Sequence, residues 1–170
     1  LKVDQDLRWE LLTGAVIGGA AGEDEIAKEL ASDNTAGGQK FAAACRAALP
    51  NSEAKAEAWR ILTETEDYSN TLVNSASLAF GRVNDLALLQ PYAKAYMDVA
   101  LKIWNERSYH IASYLLTNLY PIQLASTELK SLTEQLIASP EVQERPALRR
   151  VLVENLAGLE RGLKAQLADV

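Results

Sequence analysis

Apolar residues recur at helical spacing along nearly the whole chain, and each run is cut after roughly 10 to 20 residues by Gly, Pro or a capping side chain. Leu7, Leu11, Leu12, Ala15 and Val16 form one stripe of a first helix starting near Asp4. Gly18-Gly19-Ala20-Ala21-Gly22 stops it, since glycine tolerates the left-handed backbone of a helix end. Glu23, Asp24 and Glu25 place negative charge in the first turn of a second helix, which Asp33-Asn34 closes. A third runs through Phe41, Ala44, Cys45 and Ala48 to Pro50, and Ser52 is the expected N-cap of a fourth with Ala54, Ala58, Ile61 and Leu62. A fifth is expected from about Ser69 to Phe80, stopped by Gly81, and Asn84-Asp85 starts a short helix ending before Pro91. Pro91 suits the first position of the next, whose stripe is Tyr92, Tyr96, Val99, Ala100, Ile103 and Trp104. Ser108 is expected to cap its neighbour, with Ile111, Ala112, Leu115, Leu116 and Leu119, ending at Pro121. Leu129, Leu132, Leu136 and Ile137 mark a further helix, broken at Ser139-Pro140, and the last runs from about Pro146 through Leu148, Leu152, Leu156, Leu159 and Leu163.

The pattern predicts an all-α fold. Short connections make consecutive helices antiparallel neighbours, and helix pairs recur every ~30–40 residues without a crisp repeat. Stacked helical hairpins of HEAT or armadillo type are expected, rather than a closed four-helix bundle. The 170 residues fit a single domain, and a chain of this length buries enough surface to need no disulfide or metal. Aromatic residues are only 6% and β-branched residues rarely cluster, so sheet has little support.

Charge narrows the partners. Seventeen basic against 23 acidic residues give a net charge of −6, which opposes binding to a phosphate backbone or an anionic membrane surface. The densest basic cluster, Arg145, Arg149 and Arg150, lies beside Glu141, Glu144 and Glu154, as on a solvated helix face laced with ion pairs. Neither a signal peptide nor a membrane span is visible. Cys45 has no second cysteine to pair with and fits a reducing, cytoplasmic setting. The first residue is Leu1, so the chain is expected to be processed or part of something longer.

Catalytic machinery is missing from the pattern. A zinc hydrolase needs about three protein ligands, commonly two histidines one turn apart with a carboxylate. The chain has one histidine, His110, and one cysteine. Glu23-Asp24-Glu25 and Glu64-Glu66-Asp67 read as helix-end charge, without the loop signature of a calcium site. Cys45 shares a stripe with Phe41 and Ala48 and reads as a buried, inert thiol. Gly14 and Gly19 have P-loop spacing, but Ala20-Ala21 stands where Lys and Ser or Thr are required. The aromatics Trp104, Tyr109, Tyr114 and Tyr120 flank the densest helix pair, with Arg107 in the turn between, and read first as core anchors with a capping arginine. The sharper reading sets Arg107, Tyr109 and His110 at a loop edge facing a ligand or a partner domain.

Several segments carry a resemblance. Asp6-Leu-Arg-Trp-Glu-Leu-Leu-Thr13, Asp33-Asn-Thr-Ala-Gly-Gly-Gln39 and Ser52-Glu-Ala-Lys-Ala-Glu-Ala-Trp59 come in that order, followed by Leu89-Gln-Pro-Tyr92, Ile103-Trp-Asn-Glu-Arg-Ser108 and the Leu148-Arg-Arg150 to Glu160-Arg161 ending. Together they resemble the last domain of aminopeptidase N enzymes of the actinobacterial type. Those enzymes are zinc metallo-aminopeptidases that remove N-terminal residues from peptides. Their zinc ligands lie in an earlier domain bearing H-E-x-x-H, with G-x-M-E-N binding the substrate amine, and neither motif occurs here. The resemblance implies a C-terminal helical domain, residues 1–170, that encloses the active site and holds no cofactor itself. Zinc is expected in a catalytic domain of the same polypeptide, which together with peptide substrates would be the partner. Arg107, Tyr109 and His110 are then the candidates for facing substrate. An independent helical-repeat module binding a protein or peptide is the alternative.

Overall fold

The computed structural model describes residues 4–168, which are helical apart from short connections and contain no strand. Five helices build a first compact unit: α1 (Gln5–Ile17), α2 (Glu23–Ser32), α3 (Ala36–Ala48), α4 (Ser52–Glu64) and α5 (Asn70–Phe80). A 3-10 turn (Leu86–Leu89) leads to a second unit of α6 (Gln90–Glu106), α7 (Tyr109–Asn118), a 3-10 turn (Ile122–Leu124), α8 (Thr127–Ala138), α9 (Pro140–Gln143) and α10 (Pro146–Ala168). The all-α expectation is met. Among the described residues no helix is long and apolar enough to cross a membrane.

Most helix ends sit where local chemistry placed them. Asp4 caps α1 through a 2.9 Å bond from the Leu7 amide, and Gly19 takes a positive φ, 73°, just past its end. Two caps differ from expectation. Asn51, not Ser52, accepts the Ala54 amide at 2.8 Å, because the Asn51 backbone is extended and Ser52 already lies in the helix. Ser108 occupies the N-cap of α7 but makes no side-chain cap bond.

In the first unit alternate helices lie side by side, with α3 packed against both α1 and α5, while α2 and α4 each bridge to α3. Contact between every second helix is what stacked hairpins produce. The buried face of α1 is Trp9, Thr13 and Val16; the stripe expected from Leu7, Leu11, Leu12, Ala15 and Val16 keeps Val16 at its centre but is rotated away from Leu11, which is 60% exposed. Trp9 causes the rotation. Its ring stacks on Phe41 at 5.8 Å, and its indole N–H donates to the Asp33 carboxylate at 2.9 Å, which fixes the rim of α1 toward α3.

The Asp33 to Gln39 segment is a connected turn. Thr35 donates to the other Asp33 oxygen at 2.7 Å and accepts the Gly38 amide at 3.1 Å, and Gln39 donates to Asn34 at 3.0 Å. The Thr35 hydroxyl, then the Trp9 indole, hold the Asp33 carboxyl below its ordinary value. Gly38 permits the close approach, since a Cβ there would collide with the Asp33 carbonyl oxygen.

In the second unit α10 packs on α7, α8 and α9, and α6 on α7 and α8. Its core holds a polar chain. Tyr96 donates to the Leu116 carbonyl at 2.7 Å, Asn155 donates to the same carbonyl at 2.9 Å, and Tyr120 shares a 2.8 Å bond with Thr133. The Tyr96 and Tyr120 rings meet edge to face at 5.3 Å. Ion pairs brace the surfaces, Arg46–Glu23 joining α3 to α2 and Lys130–Glu160 joining α8 to α10.

Candidate functional site

The three residues singled out from the sequence converge on the α6–α7 turn. α6 ends at Glu106, and Arg107 leaves it in extended backbone (φ −101°, ψ 156°) with its amide still bonded to the Ile103 carbonyl at 3.0 Å. Arg107 is half-buried, while Tyr109 and His110, the first residues of α7, are exposed, Tyr109 by 61%. The Tyr109 ring stands edge to face against Trp104 at 5.8 Å and against His110 at 5.8 Å. α10 begins nearby. Arg145 donates to the Asn105 side chain at 3.2 Å, tying the start of α10 to the end of α6. Arg150 pairs with Glu154 at 2.9 Å, the salt-laced arrangement expected of that face.

This edge presents aromatic faces and an imidazole at the surface, with the half-buried Arg107 beside them. Among the described residues no hydroxyl or thiol at this edge is hydrogen-bonded to His110. Of the aromatics grouped from sequence, Tyr120 belongs to the core at 3% exposure, and Trp104 is half-buried as the support for Tyr109.

Elsewhere the reactive side chains are committed to structure. Cys45 is buried, with Sγ 3.3 Å from the Thr13 hydroxyl, and burial pushes its thiol pKa up. Glu23 is held by Arg46 in a two-pronged pair, and Glu25 accepts the Gly22 amide at 2.8 Å. Among the described residues no three His, Cys, Asp or Glu side chains gather as a metal would require.

Sequence reading missed Lys55. Its place in Ser52–Trp59 looks like a solvated face, yet the residue is fully buried. Nζ donates to the Ala47 carbonyl at 2.6 Å and the Phe80 carbonyl at 2.7 Å, and lies 5.1 Å from the Phe80 ring centroid. Those carbonyls end α3 and α5, so one ammonium satisfies two helix C-termini, where positive charge is favoured. Burial still pulls its pKa down to about 8.

Two recesses open in the first unit. One is an apolar cavity of about 150 Å³ floored by Ala43, Ala47, Ala58 and Ile61, with the Arg46–Glu23 pair and Tyr68 at its edge. The other is an open groove of about 500 Å³ across α1, α3 and α5, lined by residues that include Glu10, Lys40, Phe41, Leu78 and Arg82. Neither recess was legible in the sequence, because each is assembled from three or more helices that meet only on folding.

Comparison with known proteins agrees with this architecture. The family model described as ERAP1-like C-terminal domain matches residues 1–161. The chain is 36% identical to aminopeptidase N of Streptomyces lividans over 169 residues, covering 99% of this chain and 20% of that protein. It thus spans about a fifth of the length of the curated relative it matches. An all-helical chain matched over nearly its whole length belongs to the ERAP1-like C-terminal domain family.

Proposed function

We propose that residues 1–170 act as one non-catalytic C-terminal domain of a zinc aminopeptidase, forming a helical wall around the chamber in which N-terminal residues are cut from peptides. The observation that carries this is the match to aminopeptidase N along 99% of the chain. A wall of stacked helices excludes water and folded proteins while leaving room for a peptide tail. Arg107, Tyr109 and His110 would form a substrate- or domain-facing edge. The zinc and its ligands would lie in a catalytic domain of the same polypeptide, in the cytoplasm.

The coding frame upstream of Leu1 tests this. It should encode H-E-x-x-H followed within about 20 residues by a glutamate. The longer protein should release amino acids from aminoacyl reporters in a zinc-dependent way. A start codon close to Leu1, or a longer protein without such activity, would instead favour an independent helical-repeat interaction module.

A further inference from the structure

The first unit carries more acidic than basic residues, yet its groove is lined by cations without carboxylate partners. Arg8, Arg46 and Arg60 are each paired, with Glu29, Glu23 and Glu57. Lys40 and Arg82 have no ion pair among the described residues, and both line the groove across α1, α3 and α5. Lys40 lies over the Phe41 ring, 4.9 Å from its centroid, so its ammonium is held at the groove rather than trailing in solvent. Leu78, 57% exposed, supplies an apolar surface in the same groove, while the Thr13 and Ser75 hydroxyls already donate to the Trp9 and Lys40 carbonyls. Glu10 is the one acidic residue in the lining, so cations outnumber carboxylates there in a unit where the reverse holds.

Three adjacent helices at spacings of roughly 8–10 Å give the groove a span of about 16–20 Å. That is the length of about five or six residues of extended polypeptide, and a recess of ~500 Å³ falls in the range that holds ligands. A small free anion would meet the cations but leave the apolar surface unfilled. We propose that this groove binds an extended polypeptide segment bearing an acidic side chain, its carboxylate taken by Lys40 and Arg82 and a neighbouring apolar side chain resting on Phe41 and Leu78. As a statement of substrate preference it rests on the peptidase reading above. It then gives the chamber a bias toward peptides with an internal Asp or Glu.

Fluorescence anisotropy on the 170-residue chain tests the groove without the catalytic domain. Labelled nonapeptides with blocked ends, carrying Leu and one internal Glu, are compared with versions in which that Glu is Gln or Lys. The Glu peptide should bind about tenfold or more tightly than the Gln peptide, the loss expected for a charge-assisted contact. Its affinity should fall as salt rises. The double variant Lys40→Gln/Arg82→Gln, made at sites without ion pairs, should keep its melting temperature and bind the Glu and Gln peptides alike. Equal binding of the two peptides by the unaltered chain, discrimination that survives in the double variant, or displacement of the Glu peptide by equimolar inorganic phosphate would overturn the proposal. The peptide series decides the matter even if the double variant fails to fold. Loss of groove binding leaves turnover by the longer protein untouched, and absence of turnover leaves groove binding untouched, so the two readings fail separately.

Discussion

Lys55 shows how one side chain can oppose and support the same fold. Its ammonium closes two helix ends, but burial lowers its pKa from the ordinary 10.5 to about 8. Below pH 8 both folded and unfolded chains hold the proton and the penalty is fully present. Between about 8 and 10.5 the unfolded chain binds more protons, so stability rises with pH through that window, by ~3 kcal/mol at most. Urea unfolding of the native chain and Lys55→Met, followed from pH 7 to 10, should show this slope in the native chain and lose it in the variant. At pH 7 Lys55→Met should itself cost roughly 1–3 kcal/mol, because two buried carbonyls lose their donor. A parallel pH slope in both chains would contradict the assignment. Gly38 is the second decisive residue. Gly38→Ala sets a methyl against the Asp33 carbonyl and 2.9 Å from its carboxylate, and should cost roughly 2–4 kcal/mol, read as a lowered urea midpoint. Neither effect could be read from the sequence. A lysine in an Ala/Glu-rich helix looks solvated, and Gly37 and Gly38 look alike until the backbone of Asp33 is seen to pass behind only one of them.

Helix boundaries were legible because their signals are local: Asp4 and Ser69 each accept a backbone amide of the turn they begin. Helix faces were less so. The α1 stripe turned about its axis once Trp9 found Phe41 and Asp33, partners 32 and 24 residues away. α10 illustrates the same limit. Asn155 interrupts a leucine pattern, and only the fold shows that its amide reaches the Leu116 carbonyl at 2.9 Å and the Tyr96 hydroxyl at 3.2 Å. Asn155→Ala removes a donor from a mostly buried network and should lower stability by about 1–2 kcal/mol without changing helix content, as thermal melts and circular dichroism would report. An unchanged melt would show that Tyr96 alone satisfies that carbonyl.

For the molecule as a whole, fold class and family were readable and the working surfaces were not. Periodicity and Gly/Pro breaks fix an all-helical chain, and motifs spread over its length fix its kinship. The groove, the cavity and the buried lysine depend on helices that meet only after folding. The central claim is that this polypeptide forms a wall and that the reacting groups lie elsewhere. The most direct test incubates the purified 170-residue chain with zinc and a panel of aminoacyl reporter substrates, then measures both released product and retained metal. No turnover above buffer and no stoichiometric zinc are expected. Zinc-dependent release of amino acids by this chain alone would contradict the claim.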